Sequence, residues 1–72
     1  MSIDGIREIM QRQPFVPFCV RLTSGARVPV NHPEFAAVTR SGRRMVVAKE
    51  DDSLEIIDVL MIEAIEMAAE AS

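Results

Sequence analysis

The chain has 72 residues, 49% of them hydrophobic and 26% charged, a balance that belongs to a globular domain and excludes a disordered segment. Its net charge of −3 argues against a general nucleic-acid binder, and a single cysteine, Cys19, excludes an intramolecular disulfide. The charge is polarised: residues 1–49 hold all eight Lys and Arg against three acids, residues 50–72 hold eight acids and no base, so the two parts carry +5 and −8.

So short a chain is one domain, spanning 1–72, near the lower size limit for folding alone, and self-association is the staple expected to stabilise it. No apolar run approaches the ~18 residues that would cross a bilayer, and acidic Asp4 and Glu8 stand where a leader would be apolar. A cytoplasmic protein with no membrane partner is the expectation.

Residues 1–13 read as an N-terminal helix. Ser2 or Asp4 can cap it, and Ile3, Ile6, Ile9 and Met10 recur at helical spacing. Pro14 stops it, and Gln13-Pro14-Phe15-Val16-Pro17-Phe18 is predicted to be extended, because a residue before proline is pushed out of the helical region. From Phe18 the period becomes two, with Phe18, Val20 and Leu22 on one face and Cys19, Arg21 and Thr23 on the other. Ser24-Gly25 signals a hairpin into Ala26 to Val30, where Val28 and Val30 point inward and Pro29, lacking a donor, places the strand at an edge or next to a bulge.

Asn31-His32-Pro33-Glu34 redirects the chain into a third strand, about Phe35 to Arg40. Ser41-Gly42 then turns it into a fourth, Arg43 to Lys49, in which Met45 and Val47 oppose Val46 and Ala48. After the polar turn Glu50-Asp51-Asp52-Ser53, Leu54 to Asp58 is a fifth strand. Residues 59–70 have two readings: a helix capped by Asp58, or a helical turn Val59 to Ile62 followed by a closing strand, Glu63 to Met67. The closing strand is preferred because it leaves fewer open sheet edges; residues 68–72 then form a frayed tail.

The fold class is therefore mainly β, with an N-terminal helix and a strongly bent antiparallel sheet of five to six strands. Val20-Arg21-Leu22-Thr23-Ser24-Gly25 followed by Val28-Pro29-Val30, together with Ile62-Glu63-Ala64-Ile65-Glu66, resembles the Sm-like or SH3-like small barrel. Gln-Pro-Phe-Val-Pro-Phe early, Asn-His-Pro-Glu-Phe in the middle and Leu-Glu-Ile-Ile-Asp-Val-Leu late are similar to a group of short bacterial proteins, a resemblance that implies no activity. The Sm-like resemblance implies edge-to-edge rings that bind RNA bases. Here Pro29 and Val30 replace a usual glycine region and Pro33-Glu34-Phe35-Ala36 replaces the base-binding Asp and Asn, which makes RNA binding the second expectation.

Candidate chemistry is sparse. Arg40, Arg43 and Arg44 flank the Ser41-Gly42 turn, with Arg27, Arg21 and Lys49 on nearby strands, and together with Arg27 form a candidate contact for phosphates or an acidic partner. Glu50, Asp51, Asp52, Glu55 and Asp58 lack the spacing and glycine of a calcium loop. His32 and Cys19, one of each, supply neither a recognisable nucleophile pair nor the three or four ligands of a metal site. No catalytic residue, cofactor or metal is assigned, and no enzyme activity is expected. Ile57, opposite in phase to Leu54 and Ile56, is placed on the outer face as the candidate subunit contact. The expected function is a self-associating, non-enzymatic interaction module, with a nucleic-acid-binding module as the alternative.

Overall fold

The computed structural model describes residues 3–67; the Ser2 cap and the 68–72 tail of the sequence reading lie outside the described residues. Helix α1 (Ile3–Met10) forms because its apolar residues fall on one stripe: Ile6 is fully buried, and Ile3, Ile9 and Met10 pack around it. It ends three residues earlier than the predicted boundary at 13, with the Gln11 N–H donating to the Arg7 carbonyl at 3.0 Å before the cis Gln13–Pro14 peptide.

Six strands follow: β1 (Phe18–Leu22), β2 (Arg27–Val30), β3 (Ala36–Val38), β4 (Arg44–Ala48), β5 (Leu54–Asp58) and β6 (Ile62–Met67). They form two antiparallel three-stranded sheets, β2-β1-β6 and β3-β4-β5, and not the single bent sheet closing into a barrel that the sequence led us to expect. The break lies at His32-Pro33. His32 is extended at φ −140°, ψ 146°, and Pro33 opens a short 3-10 turn, Pro33–Phe35, closed by the Phe35 N–H on the His32 carbonyl at 3.1 Å. A proline with fixed φ and no N–H cannot continue a ladder, so Phe35, predicted to start the third strand, belongs to the turn. The last segment follows the closing-strand reading: a 3-10 turn at Val59–Met61, capped by the Asp58 carboxylate accepting from the Leu60 N–H at 2.9 Å, feeds β6 onto β1.

The three hairpins share one device, a tight turn followed by a residue at positive φ. Leu22 and Ala26 flank the first, with Gly25 at φ 91°; Thr39 and Arg44 flank the second, with Gly42 at 75°; Lys49 and Ser53 flank the third, with Asp52 at 73°. Left-handed backbone suits glycine because it has no Cβ to crowd the carbonyl, and Asp is among the few others that tolerate it.

The inner faces of both sheets and the Ile6 side of α1 meet in one aliphatic core, in which Ile6, Val20, Val30, Met45 and Val47 are the largest fully buried side chains. The alternations read for β1, β2 and β4 hold. The phase of β5 is reversed: Ile57 is 3% exposed and pairs in register with Met45, whereas Leu54 and Ile56 are each 66% exposed. Ile57 is thus a core residue and not a subunit contact. Placing Leu54 and Ile56 inward would have taken Asp58 with them, since a strand alternates strictly. In the observed phase Asp58 caps the following turn from the surface, and Glu55, at the strand end, reaches Lys49 at 2.7 Å.

Two glycine substitutions separate backbone from packing. A Cβ on Gly25 would meet open space, whereas one on Gly42 would sit 3.3 Å from both Cγ atoms of Ile3. Gly25→Ala is expected to cost about 1 kcal/mol from its left-handed backbone alone. Gly42→Ala should cost about 1–2 kcal/mol more, because α1 must shift at its first described residue. Urea unfolding of the two variants measures the difference; equal costs would mean that Ile3 yields freely.

Candidate interaction surface

The register of β4 with its neighbours determines what the second sheet shows to solvent. Ala37 pairs with Val46, Val46 with Ile56, and Ala48 with Leu54, so these five apolar side chains share the face opposite the core. Leu54, Ile56 and Ala37 are exposed and Val46 and Ala48 half-buried. Scattered exposed apolar residues are ordinary, but here five are contiguous across three strands. β5 borders the sheet and pairs only with β4 among the described residues, so its outer edge is open beside that face. Leu60, 78% exposed, and Met61 form a smaller apolar spot on the 3-10 turn. It borders a depression of about 380 Å³ between Ile3, Gly42, Arg43 and Asp58.

The two turns of β4 carry opposite charge. At its start, Arg40, Arg43 and Arg44 are exposed and form no ion pair among the described residues. Thr39 organises this turn: its hydroxyl accepts from the Arg44 N–H at 3.2 Å, and the Ser41 hydroxyl accepts from the Arg43 N–H at 3.3 Å. At the other end of β4, Glu50, Asp51 and Asp52 are exposed. The Asp51 carboxylate accepts from both the hydroxyl and the N–H of Ser53, and these hydrogen bonds, the hydroxyl first, hold its pKa below the ordinary carboxylate value. Lys49 pairs with Glu55, whose hydrogen bond and then charge raise the Lys49 pKa above its ordinary value, with a smaller contribution from Asp51.

Arg27, grouped with Arg40, Arg43 and Arg44 on the sequence, is not brought to them. It lies on the first sheet with its guanidinium 3.1 Å from Glu66, bordering a depression with Lys49 and Glu50 at the far end of β4. Arg21 makes contacts of 2.9 Å to Glu63 and 3.1 Å to Glu66, so the outer face of the first sheet is a cross-strand ion-pair network. The strand and turn bases are thereby divided into neutralised ones, Arg21, Arg27 and Lys49, and the turn of Arg40, Arg43 and Arg44, which forms no ion pair among the described residues. Sequence spacing alone carried no signal for the pairing of Arg21, because Glu63 and Glu66 are more than forty positions from it.

Cys19 and His32 occupy separate places. Cys19 is half-buried on β1 opposite Pro29, and His32 packs edge-on against Phe35 with ring centroids 5.0 Å apart. Among the described residues no three His, Cys, Asp or Glu side chains gather as a metal ion would require. No helix of the described residues is long and apolar enough to cross a membrane.

The lowered Asp51 pKa has a definite sign. Its hydrogen bonds favour the ionised form, so they contribute stability above the ordinary carboxylate pKa and are lost as pH falls through the lower folded value. In a carboxylate NMR titration Asp51 should titrate below the ordinary Asp range, and Ser53→Ala should move it part of the way back. A midpoint unchanged by that substitution would remove Ser53 as the cause.

Compared with protein-family models, with curated proteins and with solved structures, the chain matches none, so its function must be argued from this surface alone.

Proposed function

We propose that this chain is a small-barrel domain of the Sm-like or SH3-like type that acts as a non-enzymatic interaction module and associates with itself. The strand order supports the barrel kinship: β6-β1-β2 and β3-β4-β5 are the two halves of one meander cut at Pro33, and a 3-10 turn precedes the strand that returns to β1. One observation carries the self-association: the apolar outer face of the second sheet, with Leu54 and Ile56 each two-thirds exposed beside an open edge. A small domain with no disulfide gains stability by burying such a face against a partner.

The unpaired Arg40, Arg43 and Arg44 favour a second reading, in which the turn contacts nucleic-acid phosphates. Three phosphate contacts to a single strand predict a log–log salt slope of about −2 in fluorescence anisotropy with labelled single-stranded RNA. Binding that ignores salt, or no binding, would remove this reading.

Self-association is tested by size-exclusion chromatography with light scattering on two neighbouring variants. Ile56→Lys should stay folded by circular dichroism and become monomeric, because it places a charge on the outer face. Ile57→Lys should unfold, because losing a buried Ile costs about 2–5 kcal/mol before the buried charge is added. An Ile56→Lys protein that keeps the wild-type oligomer would overturn the assignment of this face. Absorbance at 260 nm in the same run reports bound nucleic acid, since the chain has no Trp or Tyr to absorb there.

A further inference from the structure

We infer that the occupant of the apolar face is a second copy of this chain, laid face to face and antiparallel about a two-fold axis that runs between the two sheets, over the Val46–Ile56 pair. The inference rests on the self-association reading and adds its geometry and stoichiometry.

The ends of the face point to it. β4 runs from the turn bearing Arg40, Arg43 and Arg44 to the turn bearing Glu50, Asp51 and Asp52, about 20 Å away at ~3.3 Å per residue. Both charged sets are exposed, and neither forms an ion pair among the described residues. The base nearest the acidic turn, Lys49, is held by Glu55, and the acid nearest the basic turn, Asp58, holds the Leu60 N–H. Within one copy the two charged turns are too far apart to meet. Under a two-fold axis that lies between the two sheets, parallel to them and perpendicular to β4, the β4 of one copy runs against that of the other, so each basic turn lies over the partner's acidic turn and Val46 and Ile56 meet their own counterparts. A parallel arrangement would stack like charges at both ends. Sheets packed face to face lie about 10 Å apart, a gap that an Arg on one side and a carboxylate on the other can span.

Size decides how much the charges matter. Three strands at ~4.8 Å spacing and about 20 Å of length give a planar footprint of about 300 Å² per copy, well under the ~800 Å² per partner of a standard stable interface. The apolar centre is therefore too small to hold the pair by itself, and the charged ends must contribute. Pairing of β5 edges alone would leave Leu54 and Ile56 in water and is disfavoured for that reason. A two-fold contact is satisfied by two copies, so the product is a closed dimer and not a ring or fibre.

The test uses two charge-reversed variants of the full chain, Arg43→Glu with Arg44→Glu, and Glu50→Lys with Asp51→Lys, each checked for folding by circular dichroism. In sedimentation equilibrium the wild type should be a dimer in low salt and shift toward monomer as salt screens the turns. Each variant alone should bind itself at least tenfold more weakly, and an equimolar mixture should recover dimers, since each reversed turn then meets an opposite one. Self-association that neither variant weakens would overturn the geometry while leaving the self-association reading intact. Recovery in the mixture with masses above two chains would also overturn it, in favour of head-to-tail contacts. A wild type that is monomeric at every accessible concentration and salt would overturn the self-association reading itself. If either variant fails to fold, Arg43→Gln with Arg44→Gln serves instead: a dimer whose salt dependence is unchanged by that loss of charge would count against the proposal.

Discussion

The pairing of Met45 with Ile57 across β4 and β5 is the constraint on which the rest of this surface depends. A strand alternates its side chains strictly, so once Ile57 enters the core beside Met45, Leu54, Ile56 and Asp58 must face away from it. That one register buries an Ile, leaves a carboxylate free to cap the Val59–Met61 turn, and builds the apolar face with Val46, Ala48 and Ala37. A slip of one residue would carry Asp58 to the core side and expose Ile57, with the cost of an uncompensated acid added to the loss of a core side chain. The cost of the observed register is two aliphatic side chains in water, and the interaction surface follows from that cost.

The two sheets divide the electrostatics between them. On the first, Arg21 and Arg27 are drawn to Glu63 and Glu66 because β6 returns beside β1, and the outer face becomes internally neutral. On the second, the basic and acidic clusters sit in turns at opposite ends of β4, and the length of that strand keeps them apart. Surface ion pairs of the first kind add little stability, on the order of 0–1 kcal/mol each. Their consequence is distributional: by occupying Glu63 and Glu66 they leave Arg40, Arg43 and Arg44 as the concentrated positive charge of the described surface. Unpaired charge of one sign at one end and the other sign at the other end orients a partner as well as helping to hold it.

Hairpin chemistry positions both clusters. Gly25, Gly42 and Asp52 take the same left-handed backbone, and two of the three are the residue that adopts it at least cost. At the third an aspartate keeps a carboxylate at the tip of the acidic turn, beside Asp51 and its Ser53 hydrogen bonds. Gly42 has a second duty, since Ile3 of α1 packs where its Cβ would be, tying the helix to the base of the Arg-bearing turn.

The order of elements, the three turns and the inward residues of β1, β2 and β4 were legible in the sequence, because each is written in local spacing, in Gly and Pro, or in alternation. The charge polarity was legible too, being a count. Three matters were decided only in the tertiary structure. Counting apolar residues in Leu54 to Asp58 favours the phase of Leu54 and Ile56 over that of Ile57, and the choice went the other way because Met45 and the capping role of Asp58 weigh on it from outside the strand. The bent sheet became two because Pro33 cannot donate to a ladder at the corner. The pairing of Arg21 and Arg27 came from the return of β6 to β1, which brings Arg21 to Glu63 and Glu66 more than forty positions away, a contact to which no local pattern is sensitive. Local sequence thus determined which elements exist, and long-range pairing determined which of their faces meets water, since burial depends on neighbours that spacing does not name.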